Sequence, residues 1–224
     1  MNLKKASKKA IKYSCINFHY SKTIPAGATY GYSVFNNQNI WSGTILYGRG
    51  GNPSIAKPYG LKHGNVIELV RMALNGKQES TSKALAISLR LLKKDCPTVK
   101  LIVSYADKGQ NHIGTIYQAT NWLYETQSKS SGYEYFYKGK WTHSKTISNA
   151  KKTKGLKTDL LKKRKVSGKI KYLYPLNKQI QKQIKKIAKP YPKKLCDDGV
   201  IRSTTSFQDV SEGAVPISSL KNYG

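Results

Sequence analysis

From Val99 to Val103 the chain is apolar at every position but Lys100, and a run of that kind marks a strand covered on both of its faces. Such a strand belongs in a sheet with helices packed against it. The residues before it agree. Ser80, Thr81 and Ser82 offer N-caps for a helix over Lys83 to Lys94, whose Leu85, Leu89 and Leu92 share one face. Lys93 and Lys94 suit the negative end of that helix's dipole, and Pro97 stops it. Further upstream, Val66 to Leu74 is apolar apart from Glu68 and Arg71 and reads as a largely buried strand.

Two hairpins flank this centre. Thr29 to Phe35 and Ile40 to Tyr47 are β-branched and aromatic runs joined by Asn36-Asn37-Gln38-Asn39; Tyr133 to Tyr137 and Trp141 to Ile147 flank Lys138-Gly139-Lys140. Gly48-Arg49-Gly50-Gly51-Asn52-Pro53-Ser54 opposes both helix and ladder and is a loop. A second helix is predicted from about Ile113 to Tyr124, with Ile116, Thr120 and Leu123 inward and Tyr117 and Asn121 sharing another face. The fold class is α/β: a mixed central sheet with antiparallel edge hairpins, flanking helices and a basic C-terminal extension.

The extension is drawn from charge. Forty Lys and Arg against eleven Asp and Glu give a net charge of +29, far more than solubility needs, so a polyanion, nucleic acid first, is the expected partner. Residues 145–194 hold 18 basic residues and one acidic residue, against 20 and 6 in 1–144 and 2 and 4 in 195–224. Three units follow: a globular domain over 1–144, a basic nucleic-acid-binding extension over 145–194, and a tail over 195–224. Lys162, Lys163, Arg164, Lys165, Lys185 and Lys186 are the candidate phosphate contacts, and Tyr172, Tyr174 and Tyr191 could stack or pack among them. Cys15, Cys96 and Cys196 form no CxxC pair, which argues against a disulfide framework or a cysteine-built zinc site and fits a reducing cytoplasm. Charge without an apolar stretch at the start, and no run of 18 apolar residues, predict a chain neither exported by that route nor membrane-spanning.

Candidate chemistry gathers where the buried strand ends. Ser104-Tyr105-Ala106-Asp107 leads into Lys108-Gly109-Gln110-Asn111-His112, and ligands of open α/β sheets bind beyond the carboxyl ends of strands, which favours Asp107 and His112; a capping aspartate is the other reading. His19-Tyr20 follows the patch Cys15-Ile16-Asn17-Phe18. A His, an Asp and Tyr oxygens are hard donors of the kind iron takes, in a spacing that matches no established motif, and a histidine beside apolar residues also serves structure. Glu68 and Arg71 need partners if buried, or contact a ligand. Lys77, Gln78, Ser80, Thr81 and Ser82 stand at a helix N-terminus, a place for an anion, without either established phosphate-loop pattern.

Taken together, Ser104-Tyr105-Ala106-Asp107, His112, Gly114, Tyr117, Ala119 and Asn121 resemble the SYAD-x(n)-H-x-G-x-x-Y-x-A-x-N tract of the phage Mom family. His19-Tyr20 upstream, Glu68-Leu69-Val70-Arg71 in the strand and a basic segment after the closing hairpin agree in order and approximate spacing, so that the resemblance covers roughly residues 15 to 190. It implies a GNAT-like acetyltransferase fold and conversion of adenine in phage DNA to N6-(carbamoylmethyl)adenine, which shields the DNA from host restriction enzymes. It further implies iron held by His19, Tyr20 and Asp107, functional roles for Arg71 and Tyr117, and acetyl-CoA as cofactor. One departure is plain: the acetyltransferase pyrophosphate loop is absent, so Lys77 to Ser82 would have to replace it. Two other function classes remain open, a non-catalytic DNA- or RNA-binding protein and an ordinary GNAT N-acetyltransferase, and only detection of the modified base separates them from the first.

Overall fold

The apolar run does become the centre of a sheet, and the strand it starts is longer than its apolar part. In the computed structural model, which describes residues 1–110, 112–192, 194–195 and 201–202, the elements in chain order begin with β1 (Asn2–Lys5), α1 (Lys8–Asn17), β2 (Ala28–Phe35), β3 (Trp41–Gly48), β4 (Val66–Leu74), α2 (Thr81–Asp95), β5 (Leu101–Asp107) and α3 (Thr115–Gln118). They continue with β6 (Leu123–Gln127), β7 (Ser130–Tyr137), β8 (Lys140–His143), α4 (Ser144–Lys154), β9 (Lys163–Ser167), β10 (Lys169–Pro175) and α5 (Lys178–Lys185). Seven strands make the main sheet in the order β1-β2-β3-β4-β5-β10-β6, and β8-β7-β9 make a second, three-stranded sheet. Every neighbouring pair of the main sheet is antiparallel except β4 and β5. This is the mixed α/β sheet with antiparallel edges that the sequence predicts.

Both faces of β5 are covered, as its composition requires. Ile102 and Ala106 join Leu85, Leu89 and Leu92 of α2 in one apolar cluster; Leu101 and Val103 join Ile55, Tyr59 and the α5 residues Ile180 and Ile184 in another. Ser80 caps α2 by accepting from the Lys83 amide, 3.2 Å away, as its residue type predicts.

Three expectations need correction. The helix predicted from Ile113 to Tyr124 is the single turn α3. Gly114 precedes it at φ 86°, Asn121 follows at φ 60°, and Leu123 and Tyr124 are drawn into β6, where they pair with Leu173 and Tyr172. Sheet pairing outweighs the helical periodicity there, and Tyr117 and Asn121 share no helical face. The strand predicted to reach Ile147 stops at His143, whose ring Nδ1 accepts the Lys145 amide at 3.1 Å and so caps α4. Residues 2–5 and 8–17 form β1 and α1, elements for which the lysine-rich start gives little periodic signal.

The largest correction concerns residues 145–194. They do not form an extension separate from a domain over 1–144: β10 lies between β5 and β6 in the main sheet, Ile170, Tyr172 and Leu173 are fully or almost fully buried, and one compact unit runs from Met1 to Tyr191. Strand alternation explains it, because Ile170 and Tyr172 point into the core while Lys169 and Lys171 take the other face. The remaining unit, Pro192–Gly224, shows an antiparallel pair of two-residue strands, Lys194–Leu195 and Ile201–Arg202. The rest of the predicted tail over 195–224, Cys196 included, lies outside the described residues.

A chain ended at Ser144 loses β10, which leaves β5 and β6 without their shared partner and opens the core around Trp122. It is expected to show no cooperative thermal transition by circular dichroism. A soluble fragment 1–144 with a sharp melt would show instead that the basic window is dispensable for folding.

Candidate active site

The site grows out of a mismatch between two neighbouring strands. Strands β4 and β5 pair over three residues only, Val66↔Leu101, Ile67↔Ile102 and Glu68↔Val103. Beyond that point β4 continues to Leu74 alongside β3, and β5 continues to Asp107 alongside β10. The parallel pair therefore forks towards its carboxyl ends, where ligands of α/β sheets bind. At the fork the Leu69 carbonyl has no β5 amide opposite it, and the buried Ser104 hydroxyl takes that place at 3.0 Å.

The same Ser104 oxygen lies 2.9 Å from the Tyr117 hydroxyl. Tyr117 is held from the α2 side of the sheet, stacked on Tyr172 at 4.9 Å between ring centroids and tilted against Trp122 at 5.1 Å. Burial pushes its hydroxyl up to about 12, Ser104 working against that and Tyr172, Glu68 and Tyr20 adding to it. Its turn cannot shift: a Cβ on Gly114 would stand 2.3 Å from the Tyr172 ring, and the Tyr172 hydroxyl donates to the Ile113 carbonyl.

On the other side of the sheet the end of α1 brings in His19 and Tyr20. Their rings lie 4.2 Å apart, and His19 Nδ1 sits 2.9 Å from the Ser21 hydroxyl, which leaves Nε2 for another partner. Burial lowers His19 to about 4, helped by the charges of Arg71 and His112, so the ring is neutral at physiological pH. Burial raises Tyr20, and the Asp107 carboxylate within its reach raises it further. Asp107 ends β5; its Oδ1 accepts the Gly109 amide at 2.9 Å and its carbonyl accepts the His112 amide at 3.2 Å.

Arg71 stands across the fork on β4. A bulge at Val70 puts Leu46 opposite Arg71 and Tyr47 opposite Leu69, so Arg71 shares a sheet face with Leu46 and not with Leu69. One guanidinium nitrogen donates to the Thr23 carbonyl, Nε is buried with no partner, and among the described residues Arg71 makes no ion pair. The buried Cys15 thiol, raised by burial, lies within reach of the same guanidinium. Glu68, two residues before the bulge, is raised by burial with Lys169 opposing, and Gly50 closes over it so tightly that a Cβ there would overlap Glu68 Oε2.

Thus His19, Tyr20, Asp107, Arg71 and His112 come together, and Tyr117 reaches the same fork from behind through Ser104. Lys77, Gln78, Ser80, Thr81 and Ser82 sit at the N-terminus of α2, where much of their hydrogen bonding is internal: Gln78 Nε2 donates to Thr81 at 2.9 Å, Ser80 and Ser82 hydroxyls are 3.0 Å apart, and Gln78 Oε1 is buried with no partner. Lys163, Arg164 and Lys165 lie on β9 with Lys162 just before it, whereas Lys185 ends α5 and Lys186 follows it. Sequence reasoning missed the bridging of Ser104 and the contact of Cys15 with Arg71. Ser104 could have been found as a hydroxyl inside an otherwise apolar strand; nothing in the spacing of Cys15 and Arg71 pairs them.

A model of the Mom protein family matches residues 1–193. The chain is 29% identical over 187 residues to the methylcarbamoylase Mom of Escherichia phage Mu, a match covering 78% of this chain and 76% of that protein. Among solved structures it is similar to the spermidine/spermine N-acetyltransferase SpeG from Vibrio cholerae in complex with manganese ions, with a TM-score of 0.45, 10% identity, and 81% and 95% of the two chains covered. It is also similar to a Bacillus subtilis acetyltransferase in complex with CoA, with a TM-score of 0.45, 9% identity, and 79% and 97% covered. Those two likenesses are too distant to bear on chemistry. The family match spans 193 of the 224 residues, and the chain belongs to the Mom protein family.

Proposed function

We propose that this chain is a phage DNA-modifying transferase that converts adenine to N6-(carbamoylmethyl)adenine, acting in the host cytoplasm and shielding phage DNA from restriction enzymes. The observation that carries the reading, beside family membership, is the convergence of His19, Tyr20, Arg71 and Asp107 at the open end of the β4–β5 fork. The adenine N6 lone pair is delocalised into the ring, so the amine needs a base and an oriented electrophile. His112, whose amide donates to the Asp107 carbonyl, is the group we assign to accept the N6 proton. Arg71, a cation without an acid partner among the described residues, orients the polar end of the incoming group. Tyr117 and Ser104 keep the fork open. The base itself has to leave the helix stack to be reached.

Acetyl-CoA would be held at the fork and the N-terminus of α2 as a cofactor; its thioester brings no nitrogen, so a separate nitrogen-containing donor would supply the carbamoylmethyl group. Lys77, Gln78, Ser80, Thr81 and Ser82 fit the cofactor's anionic end in part: first-turn amides and Lys77 are available, while the Ser80 hydroxyl already serves Lys83. Iron is assigned to His19, Tyr20 and Asp107. A neutral imidazole and a carboxylate suit it, and the Tyr20 phenol would be the third ligand on losing its proton; among the described residues no group of three His, Cys, Asp or Glu could hold a metal, so the assignment rests on the family resemblance. Bound iron would supply a Lewis acid at that point.

Nucleosides from cells expressing the chain should contain the modified deoxyadenosine by mass spectrometry, and Asp107→Ala or His19→Ala should remove it while DNA binding persists. Unmodified deoxyadenosine under good expression with iron present would end the proposal.

Ferric iron added to the purified protein should give the visible absorption of a bound tyrosinate, and Tyr20→Phe should abolish the band. The same band in the variant would place the metal elsewhere.

His19 also links the site to stability. Its ring titrates at about 4 instead of the ordinary 6.5; as pH falls through that interval the unfolded chain takes up the proton and the folded chain does not, so stability present above 6.5 declines towards pH 4. Urea unfolding of His19→Gln should show a shallower decline than the unaltered protein over that range. Parallel curves would contradict the neutral ring.

A further inference from the structure

Strand β9 carries more than lysines. Cross-strand partners share a sheet face, and so do residues two apart on a strand, so the pairs Phe136↔Trp141 and Glu134↔Arg164 put all four side chains on one face of the three-stranded sheet. Phe136 is 43% and Trp141 37% exposed, their rings edge to face at 5.5 Å. The Arg164 guanidinium lies 4.4 Å above the indole and is fixed there by Nε and Nη2, at 3.0 and 2.8 Å from Glu134 Oε2. On the opposite face Lys163 lies over Tyr133, itself 45% exposed.

Exposed rings amid such charge are selective about partners. Residues 128–167 contain twelve basic and two acidic residues, and one of the acids, Glu134, is bound to Arg164. A polyanion is favoured, and the rings need a flat apolar surface to cover them. Duplex DNA supplies the charge but keeps its base faces stacked; an opened strand supplies both.

The place of this sheet in the fold adds a third argument. Strand β9 ends at Ser167, whose Cβ lies 3.8 Å from where a Cβ of Gly109 would stand, and Gly109 is the residue whose amide Asp107 holds. Gly168 then turns the chain into β10, where Lys169 pairs with Asp107; a side chain at Gly168 would collide with the Ser128 carbonyl. From Ser167 back to Arg164 is three residues, about 10 Å along a strand.

We propose that the Phe136–Trp141–Arg164 face is a stacking platform for unpaired bases of the DNA strand beside the candidate active site, with Lys162 beside it, and Lys163 and Lys165 reaching round the edge strand β9 from the other face, neutralising its phosphates. The proposal rests on the reading that the chain acts on DNA, and it assigns a way of holding the strand open that charge alone does not provide. Stacked rings act through contact and lysines through counterion release, so the two contributions differ in salt dependence.

The test is binding of the full chain to a short oligodeoxythymidylate and to a duplex, followed by tryptophan fluorescence and anisotropy across a salt series. The single strand should quench tryptophan emission, and Trp141→Phe, which keeps a ring, should remove most of the quenching with little loss of affinity. Phe136→Ala with Trp141→Ala should weaken single-strand binding about tenfold or more at every salt concentration, leaving duplex binding and the salt slope unchanged. Replacing Lys162, Lys163 and Lys165 by Ala should instead flatten the slope. Quenching that survives Trp141→Phe, equal losses on single strand and duplex, or tighter binding to an RNA of the same length would overturn the platform. Its failure is separable from that of the enzymatic reading: modified adenine in cells with no stacking removes the platform alone, and stacking with unmodified adenine removes the chemistry alone.

Discussion

When the β4–β5 ladder stops after Glu68↔Val103, two strands whose backbone groups must be paired are left without each other, and each finds a different neighbour. Strand β4 stays with β3, β5 takes β10, and the space between them cannot be closed by backbone pairing. A carbonyl at such a fork has to be satisfied by something else, and Ser104 does this for Leu69. Everything else at the candidate site is arranged by that opening. Asp107 is brought to the end of β5 on one side, the Val70 bulge turns Arg71 to face it from β4, and Tyr117 stands behind Ser104. A continuous parallel sheet would seal the same residues into its ladder.

Much of this frame is legible in the sequence because it depends on short-range rules. The β4 limits, the cap at Ser80 and the Asn36–Asn39 turn follow from patterns that need only a few neighbours. The helix over residues 113–124 fails for a long-range reason. Its apolar spacing is real, yet Leu123 and Tyr124 gain more by pairing with Leu173 and Tyr172, residues some fifty positions away. Gly114 and Asn121 carried the local warning, since both adopt the left-handed backbone that ends or precedes a helix.

The site is legible to a different degree. Asp107 announces itself by ending an apolar strand, and family resemblance joined it to His19-Tyr20, but spacing does not reveal that Arg71 faces them, because the Val70 bulge changes the face on which Arg71 lies. A period-two reading of β4 puts Glu68 and Val70 together and Arg71 opposite; one extra residue reverses that. Bulges leave almost no trace in composition. Ser104 and Tyr117 are thirteen positions apart, and only the fold shows that they share a hydrogen bond.

Charge misled about the domain boundary for a related reason. Counting lysines over fifty residues averages two kinds of segment. In β10 the order Lys169-Ile170-Lys171-Tyr172 alternates, so its cations occupy one face of a buried strand, and Lys171 is spent on Glu125 at 2.9 Å while resting over the Tyr59 ring. In β9 the run Lys163-Arg164-Lys165 lies on an exposed strand of a separate sheet, with aromatic partners on both faces. Lys171 is held by Glu125 and Arg164 by Glu134, whereas Lys163 and Lys165 have no carboxylate partner among the described residues and can release counterions from DNA when they bind it. The number of phosphates the chain can neutralise is therefore set by exposure and pairing as well as by its net charge of +29. Part of that charge builds the sheet that holds the site, and the rest lies on exposed surfaces, β9 among them, beside that site.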